Sequence, residues 1–295
     1  SVSSLAKLGS STDATLPLNL GVSLRALGRT AEATPAFHRA LELRPDYPEA
    51  LVNLGAVALE AKAFAESEAL QRRALALQPH SAAAHIGLGN AQLARRQPAE
   101  AAASYRTAIG LAPQRLDART NLHAALSRLK AWPEMRDNAA AILAAHPAAA
   151  FGPFALGDAL MGLARFDDAI AAYRQAIALD PLQHPAWEGI GNAHRSLNRI
   201  EDAIAAYRQA VLIGPQNASA QANLAMAQLV AGDYAAGLDG YESRWDCDTP
   251  LTIRPLPDTP VWTGAASLAC LRILLQAEQG VGDTLQMLRY VKPVA

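Results

Sequence analysis

Ala172-Tyr173-Arg174-Gln175-Ala176 returns unchanged as Ala206-Tyr207-Arg208-Gln209-Ala210, a shift of 34 residues that sets the frame for most of the chain. Extending that register outward finds Pro45, Pro79, Pro113, Pro147, Pro181 and Pro215, each 34 residues from the next. Leu20, Leu54, Leu88, Leu122, Leu156, Ile190 and Leu224 share one column, and the next column reads Gly21, Gly55, Gly89, His123, Gly157, Gly191, Ala225. A further column is Ala40, Ala74, Ala108, Ile142, Ala176 and Ala210. Self-similarity at such a period is the mark of a repeat architecture, in which each unit buries its apolar face only against its neighbours.

The columns have a physical reading. Small residues such as Gly55 and Ala74 belong where two antiparallel helices approach most closely. Aromatics such as Phe37, Tyr105, Tyr173 and Tyr207 are expected to fill the groove towards the neighbouring hairpin. Each proline follows a helix that it cannot continue and sets the turn into the next unit. Glu32, Asp167 and Glu201 stand near second-helix starts, at the positive end of the helix dipole. Composition agrees: 51% of residues are apolar but only 5% aromatic, so alanine and leucine supply the packing, which suits close helices better than a sandwich or barrel.

A 34-residue period carrying this Leu-Gly, Ala, Tyr, Ala, Pro series resembles the tetratricopeptide repeat family. The resemblance implies an all-α, right-handed superhelical solenoid of helical hairpins, most of it a binding scaffold. Seven units follow from the frame: 14–47, 48–81, 82–115, 116–149, 150–183, 184–217, and a degenerate seventh over 218–245. Residues 1–13 read as the tail of an earlier second helix or a cap. The fourth unit departs most, with His123 in the small-residue column, Met135 and Ala139 for alanine and an aromatic, and Ile142 in the tight alanine column. The fifth opens on Phe151-Gly152-Pro153, so its first helix is expected to start late. Packing drift and a hinge near 135–153 both remain open.

In such a solenoid the first helices line the inner, concave surface. Asn19, Asn53, Asn121 and Asn223 recur one position before the leucine column, and Asn90, Asp158 and Asn192 lie one turn further on. Residues three apart on a helix share a face, and a carboxamide both donates and accepts, so this column could grip the main chain of an extended peptide. A similar asparagine ladder is found in the repeat domains of O-linked N-acetylglucosamine transferases, although Gly87, Ala155 and Gly189 interrupt it here. The other reading is that these asparagines cap or solvate an exposed face. His194 is expected to pack, Asn217-Ala218-Ser219 to be a coincidental sequon, and Arg72-Arg73 and Arg95-Arg96 to be solvated.

Beyond Trp245 the period ends. Residues 246–265 are rich in Pro, Thr and Asp and read as a linker. Leu271-Arg272-Ile273-Leu274-Leu275-Gln276 has the pattern of a buried strand, Gln279-Gly280-Val281-Gly282-Asp283 that of a glycine turn, and 284–291 that of a helix. Over 266–295 this looks like the start of a Rossmann-like domain. The wider run of Gly232-Asp233-Tyr234, Tyr241-Glu242-Ser243-Arg244-Trp245, Pro260-Val261-Trp262 and Ala277 to Thr284 is similar to bacterial repeat proteins fused to a glycosyltransferase-like domain of the heptosyltransferase class. That resemblance implies a phosphate- or substrate-facing turn at Gly280 and Gly282, and Asp283 as base for an acceptor hydroxyl; Asp283 as a simple helix cap is the other reading. It also implies a nucleotide sugar as partner only in a longer parent, because about 35 residues cannot close a cleft. Alone, the chain is expected to be non-catalytic. The function expected is therefore protein or peptide recognition for a repeat-fused glycosyltransferase, with a stand-alone adaptor as alternative.

Other classes lack support. Basic and acidic residues balance, 26 against 27, so there is no global field for nucleic acid or an anionic membrane. No apolar run reaches the roughly 18 residues of a membrane span. Cys247 and Cys270 form no framework, and histidines lack ligand spacing, so neither a metal nor another cofactor is expected. A reducing, cytoplasmic compartment is the default. The start at Ser1, without methionine or a signal-like segment, suggests a piece of something longer.

Overall fold

A computed structural model describes residues 13–241 and 243. Among these residues there are fourteen helices and no strand. They are α1 (Thr15–Ala26), α2 (Thr30–Leu43), α3 (Pro48–Glu60), α4 (Phe64–Leu77), α5 (Ala82–Ala94), α6 (Pro98–Leu111), α7 (Leu116–Leu129), α8 (Trp132–Ala145), α9 (Phe151–Gly162), α10 (Phe166–Leu179), α11 (His184–Ser196), α12 (Ile200–Ile213), α13 (Ala218–Ala231) and α14 (Tyr234–Tyr241). Two compact units divide at Pro181 and Leu182, the first holding the five hairpins α1–α10 and the second the two hairpins α11–α14. Within each, successive hairpins stack in chain order as in a tetratricopeptide solenoid. The linker at 246–265, the strand and helix expected over 271–291, and residues 1–12 lie outside the described residues.

The two kinds of turn have different chemistry. Between the helices of every hairpin one residue takes the left-handed conformation: Gly28, Lys62, Arg96, Lys130, Ala164, Asn198 and Gly232, again at a spacing of 34. Each closes a Schellman motif. In the second hairpin, for example, Ala63 N donates to Ala58 O at 2.8 Å and Lys62 N to Leu59 O at 3.0 Å, which satisfies two carbonyls at the end of α3. Between hairpins, Arg44, Gln78 and Asp180 are instead extended, with φ of -143, -136 and -139°, as the residue before a proline must be.

The core lies between the two helices of each hairpin. Ala40, Ala74, Ala108, Ile142, Ala176 and Ala210 have no exposed surface. The glycine column faces the second-helix aromatic of its own hairpin: a Cβ on Gly21, Gly89 or Gly157 would stand 2.5 Å from the ring of Phe37, Tyr105 or Tyr173 respectively. The aromatics thus seat on their own hairpin's glycine, and Phe37 and Tyr105 also share a core cluster with the first helix of the next hairpin. A fully buried ring of this size contributes on the order of 2 kcal/mol.

Two hairpins vary the theme. In the fourth, buried His123 replaces the glycine and Ala139 replaces the aromatic, so bulk moves from one helix to the other; Met135, Ala139 and Ile142 are all sealed from solvent. That reciprocal exchange keeps the core of the fourth hairpin closed. In the second, Gln71 takes the aromatic's place against Gly55, donating to Val52 O at 3.1 Å, while Ser67 Oγ donates to Gly55 O at 2.7 Å. Helix α9 begins at Phe151, one residue behind the frame.

Candidate functional site

The first helices carry the asparagine column, and the structure separates it into two sets. In one turn-set, Asn90, Asp158 and Asn192 each accept a hydrogen bond from the second-helix tyrosine of their own hairpin. Tyr105 donates to Asn90 Oδ1 at 2.7 Å, Tyr173 to Asp158 Oδ1 at 2.8 Å and Tyr207 to Asn192 Oδ1 at 2.8 Å. Burial pushes all three phenols up, Tyr207 to about 12 even against the lowering effect of Arg195, so each stays a donor across the ordinary pH range.

In the other set, Asn121 Nδ2 donates to Asn90 Oδ1 at 2.9 Å, linking the third and fourth hairpins. Asn53 is engaged at both ends: Nδ2 donates to Glu49 O at 2.8 Å, and Oδ1 accepts from Arg25 at 3.0 Å. Asn223 Nδ2 donates to Glu188 Oε1 at 3.0 Å, and Asn19 is exposed. The gap at Gly87 has a cause, because a Cβ there would meet the Gln71 carboxamide at 2.5 Å. Ala155 is buried.

After these bonds, half-carboxamides remain. Asn90 and Asn192 keep an NH2 group, and Asn121 and Asn223 keep a carbonyl, with no hydrogen bond to another described residue. In each compact unit these pairs set a donor beside an acceptor, the complement of an exposed peptide group.

Three polar clusters escaped the sequence reading. Glu68, buried at 4% side-chain exposure, is held by Arg72 at 2.6 Å and by Arg95 of the next hairpin, so the two arginine pairs are not simply solvated. His123 Nε2 donates to Asp158 Oδ2 at 3.0 Å and its ring meets Phe151 edge-on, 5.5 Å between centroids. Glu188 accepts from Asn217 at 3.2 Å, Ser219 at 2.8 Å and Asn223, which joins α11 to the start of α13. Asn217 of the sequon caps α13 through Ala220 N at 3.1 Å. His194 is buried as expected.

A cleft of about 410 Å³ between α2 and α4 lies on the second-helix side, walled by Leu41, Leu54 and Leu70 and rimmed by Glu42, Glu66 and Arg73. Among the described residues no group of three or more His, Cys, Asp or Glu could hold a metal, and no helix is long and apolar enough to cross a membrane. Gly280, Gly282 and Asp283 lie outside the described residues.

A profile of the tetratricopeptide repeat family matches residues 18–82, 68–115, 154–218 and 190–249, more than half of the chain, and passes over the fourth hairpin. No curated protein matches in sequence. Three similar crystal structures show the same fold. YrrB, a tetratricopeptide repeat protein with an unusual peptide-binding site, is 19% identical with a TM-score of 0.53, over 67% of this chain and 98% of that one. A chain of the Cut9–Hcn1 hetero-tetramer of the APC/C is 17% identical with a TM-score of 0.63; the match covers 76% of this chain and 44% of that one. A tetratricopeptide repeat protein from Parabacteroides merdae ATCC 43184 is 12% identical with a TM-score of 0.68, over 80% and 93%.

Proposed function

The chain belongs to the tetratricopeptide repeat family, and on that premise we propose that it is a scaffold whose first-helix face, concave in the stacked array, holds a protein or an extended peptide segment. The observation that carries this is the pairing of an unspent carboxamide donor with an unspent acceptor, at Asn90 and Asn121 in one unit and at Asn192 and Asn223 in the other. Main-chain recognition needs that pair and is indifferent to side-chain sequence. Asn19 and Asn53 extend the column, and Asp158 adds a carboxylate to it. YrrB, described as having a peptide-binding site, offers a precedent on the same fold.

We further propose that this scaffold is the substrate-recognition arm of a repeat-fused glycosyltransferase, presenting an acceptor protein to a domain that begins at 266–295. Support comes from the run between Gly232 and Thr284, with Gly280 and Gly282 as the ligand-facing turn and Asp283 as acceptor base. The nucleotide sugar would bind only in the longer parent. A stand-alone adaptor is the alternative, and further βα units downstream of Ala295 in the gene would decide against it.

The test is a selection from a displayed random peptide library, followed by titration of the winners against wild type and the Asn19→Ala, Asn53→Ala, Asn121→Ala triple variant. Affinity is expected to fall about tenfold or more, since each lost hydrogen bond is worth about 1 kcal/mol, with helicity unchanged. Equal affinity would remove Asn19, Asn53 and Asn121 from the site, and failure to select any binder would remove the scaffold reading.

A further inference from the structure

Asp158 is unlike the carboxylates of its unit that are paired with arginine. Glu68 has two arginines, and Glu60, Glu134 and Asp117 each have one, at Arg25, Arg106 and Arg115. Among the described residues Asp158, with 31% of its side chain exposed, is met by the His123 ring and the Tyr173 hydroxyl and by no arginine or lysine. Arg128, on the same helix as His123, donates instead to Leu93 O at 3.0 Å. A partly exposed carboxylate with no arginine or lysine beside it leaves a place for a partner's cation.

The surroundings specify what would fill it. Phe151, Phe154 and Asp158 lie three and four residues apart on one face of α9. Both rings are half-buried, with centroids 6.0 Å apart, and Phe154 tilts onto Tyr173 at 5.9 Å. The equivalent positions in the other hairpins of this unit are Thr15 and Leu18, Glu49 and Val52, Ala83 and Ile86, and Asp117 and Thr120, so the aromatic shelf is peculiar to the fifth hairpin. The other His123 ring nitrogen, Nδ1, is buried and has no hydrogen-bond partner among the described residues. Both carboxylate oxygens of Asp158 are acceptors. A group that is planar, cationic and rich in donors without an acceptor answers every one of these features, and guanidinium is that group.

We propose that the face of α9, with His123 from α7, is a subsite for an arginine side chain of the bound partner segment, its guanidinium stacked on Phe151 and Phe154 and paired with Asp158. The proposal rests on the scaffold reading above and adds the chemistry of one residue of the ligand.

The experiment uses the full chain, immobilised, and four pools of dodecapeptides that carry Arg, Lys, citrulline or Glu at one fixed position among degenerate uncharged residues. Citrulline keeps arginine's shape and loses its charge. The Arg pool should be retained about fivefold to tenfold over the citrulline pool, the factor a partly desolvated cation–π contact and a charged hydrogen bond together supply. Asp158→Asn, which keeps an acceptor for Tyr173, and Phe154→Leu, which keeps apolar volume, should each bring that ratio to within twofold of unity. Asn121→Ala should lower total retention and leave the ratio alone. Circular dichroism establishes that each variant is folded, and either of the first two suffices if the other is not. Retention of all pools with no preference for Arg, or a preference that survives both variants, overturns the arginine subsite and leaves the scaffold standing. Retention of none overturns both.

Discussion

Two glycine-to-alanine changes in the third hairpin should move stability in opposite directions. Gly89 lies inside α5 beneath Tyr105, and a Cβ added there would stand 2.5 Å from Cε1 and 2.8 Å from both Cδ1 and Cζ. The ring is rigid and has no exposed surface, and its hydroxyl is tied to Asn90 at 2.7 Å, so it cannot swing aside cheaply. Gly110 lies on the exposed side of α6, and a Cβ there would meet nothing within 4 Å. Both substitutions gain about 1 kcal/mol of helix propensity. At Gly89 that gain is set against overpacking of about 1–3 kcal/mol and the loosened Tyr105 hydrogen bond, worth about 1 kcal/mol. Gly110→Ala should therefore stabilise by about 1 kcal/mol and Gly89→Ala destabilise by about 1–3 kcal/mol. Urea unfolding followed by helical circular dichroism, compared at the midpoints because repeat arrays need not unfold in one step, reads the difference. In a Tyr105→Ala background the penalty at Gly89 should vanish, a strong coupling between contacting sites. Stabilisation of similar size by both single alanines, or no coupling to Tyr105, would refute the ring-on-glycine account of the core.

Two further outcomes follow from the turns and the phenols. Ala164 holds φ +57° at a position where Gly28 and Gly232 serve in other hairpins, so Ala164→Gly should raise the melting midpoint, by about 1 kcal/mol before the unfolded-state entropy of glycine is subtracted; a lowered midpoint would contradict left-handed strain there. Tyr207 is pushed up to about 12 by burial, against about 10 for a free phenol, so its contribution is complete below pH 10 and is lost as pH rises towards 12. Tyrosinate absorbance should rise in two stages, the second coincident with loss of helicity, and Tyr207→Phe should soften that second stage. Full ionisation near pH 10 with helicity intact would contradict it.

How much of this was legible in the sequence depends on whether a position is held by side chain or by backbone. The leucine, glycine and alanine columns are side-chain requirements, so they surface as a period and carry the fold. The left-handed column at Gly28, Lys62, Arg96, Lys130, Ala164, Asn198 and Gly232 is a backbone requirement of the Schellman turn. Five non-glycine residues tolerate it, because the two closing hydrogen bonds hold the turn, and so their identities vary and the column is invisible in sequence. The fourth hairpin shows the complementary failure. His123 and Ala139 each look like a lapse when scored against their own columns, and only together do they conserve volume.

The same lesson applies to the candidate site. Asn90, Asp158 and Asn192 read as ladder members because they share a helix face with Asn19, Asn53, Asn121 and Asn223. Yet fifteen residues after each stands Tyr105, Tyr173 or Tyr207, whereas Val22 precedes Phe37, Ala124 precedes Ala139 and Ala56 precedes Gln71 at the same interval. A polar acceptor is present in the first six hairpins only where a phenol needs one, which accounts for those three side chains through folding before any ligand is invoked. What folding leaves over differs among them. Asn90 and Asn192 keep a neutral amide group that any peptide carbonyl could meet. Asp158 keeps a charge, beside two half-exposed rings, that no lysine or arginine of its own unit balances. Subtracting the structural role thus turns a uniform ladder into one with a distinct rung, and it is at the fifth hairpin that selectivity for a partner's side chain should be sought.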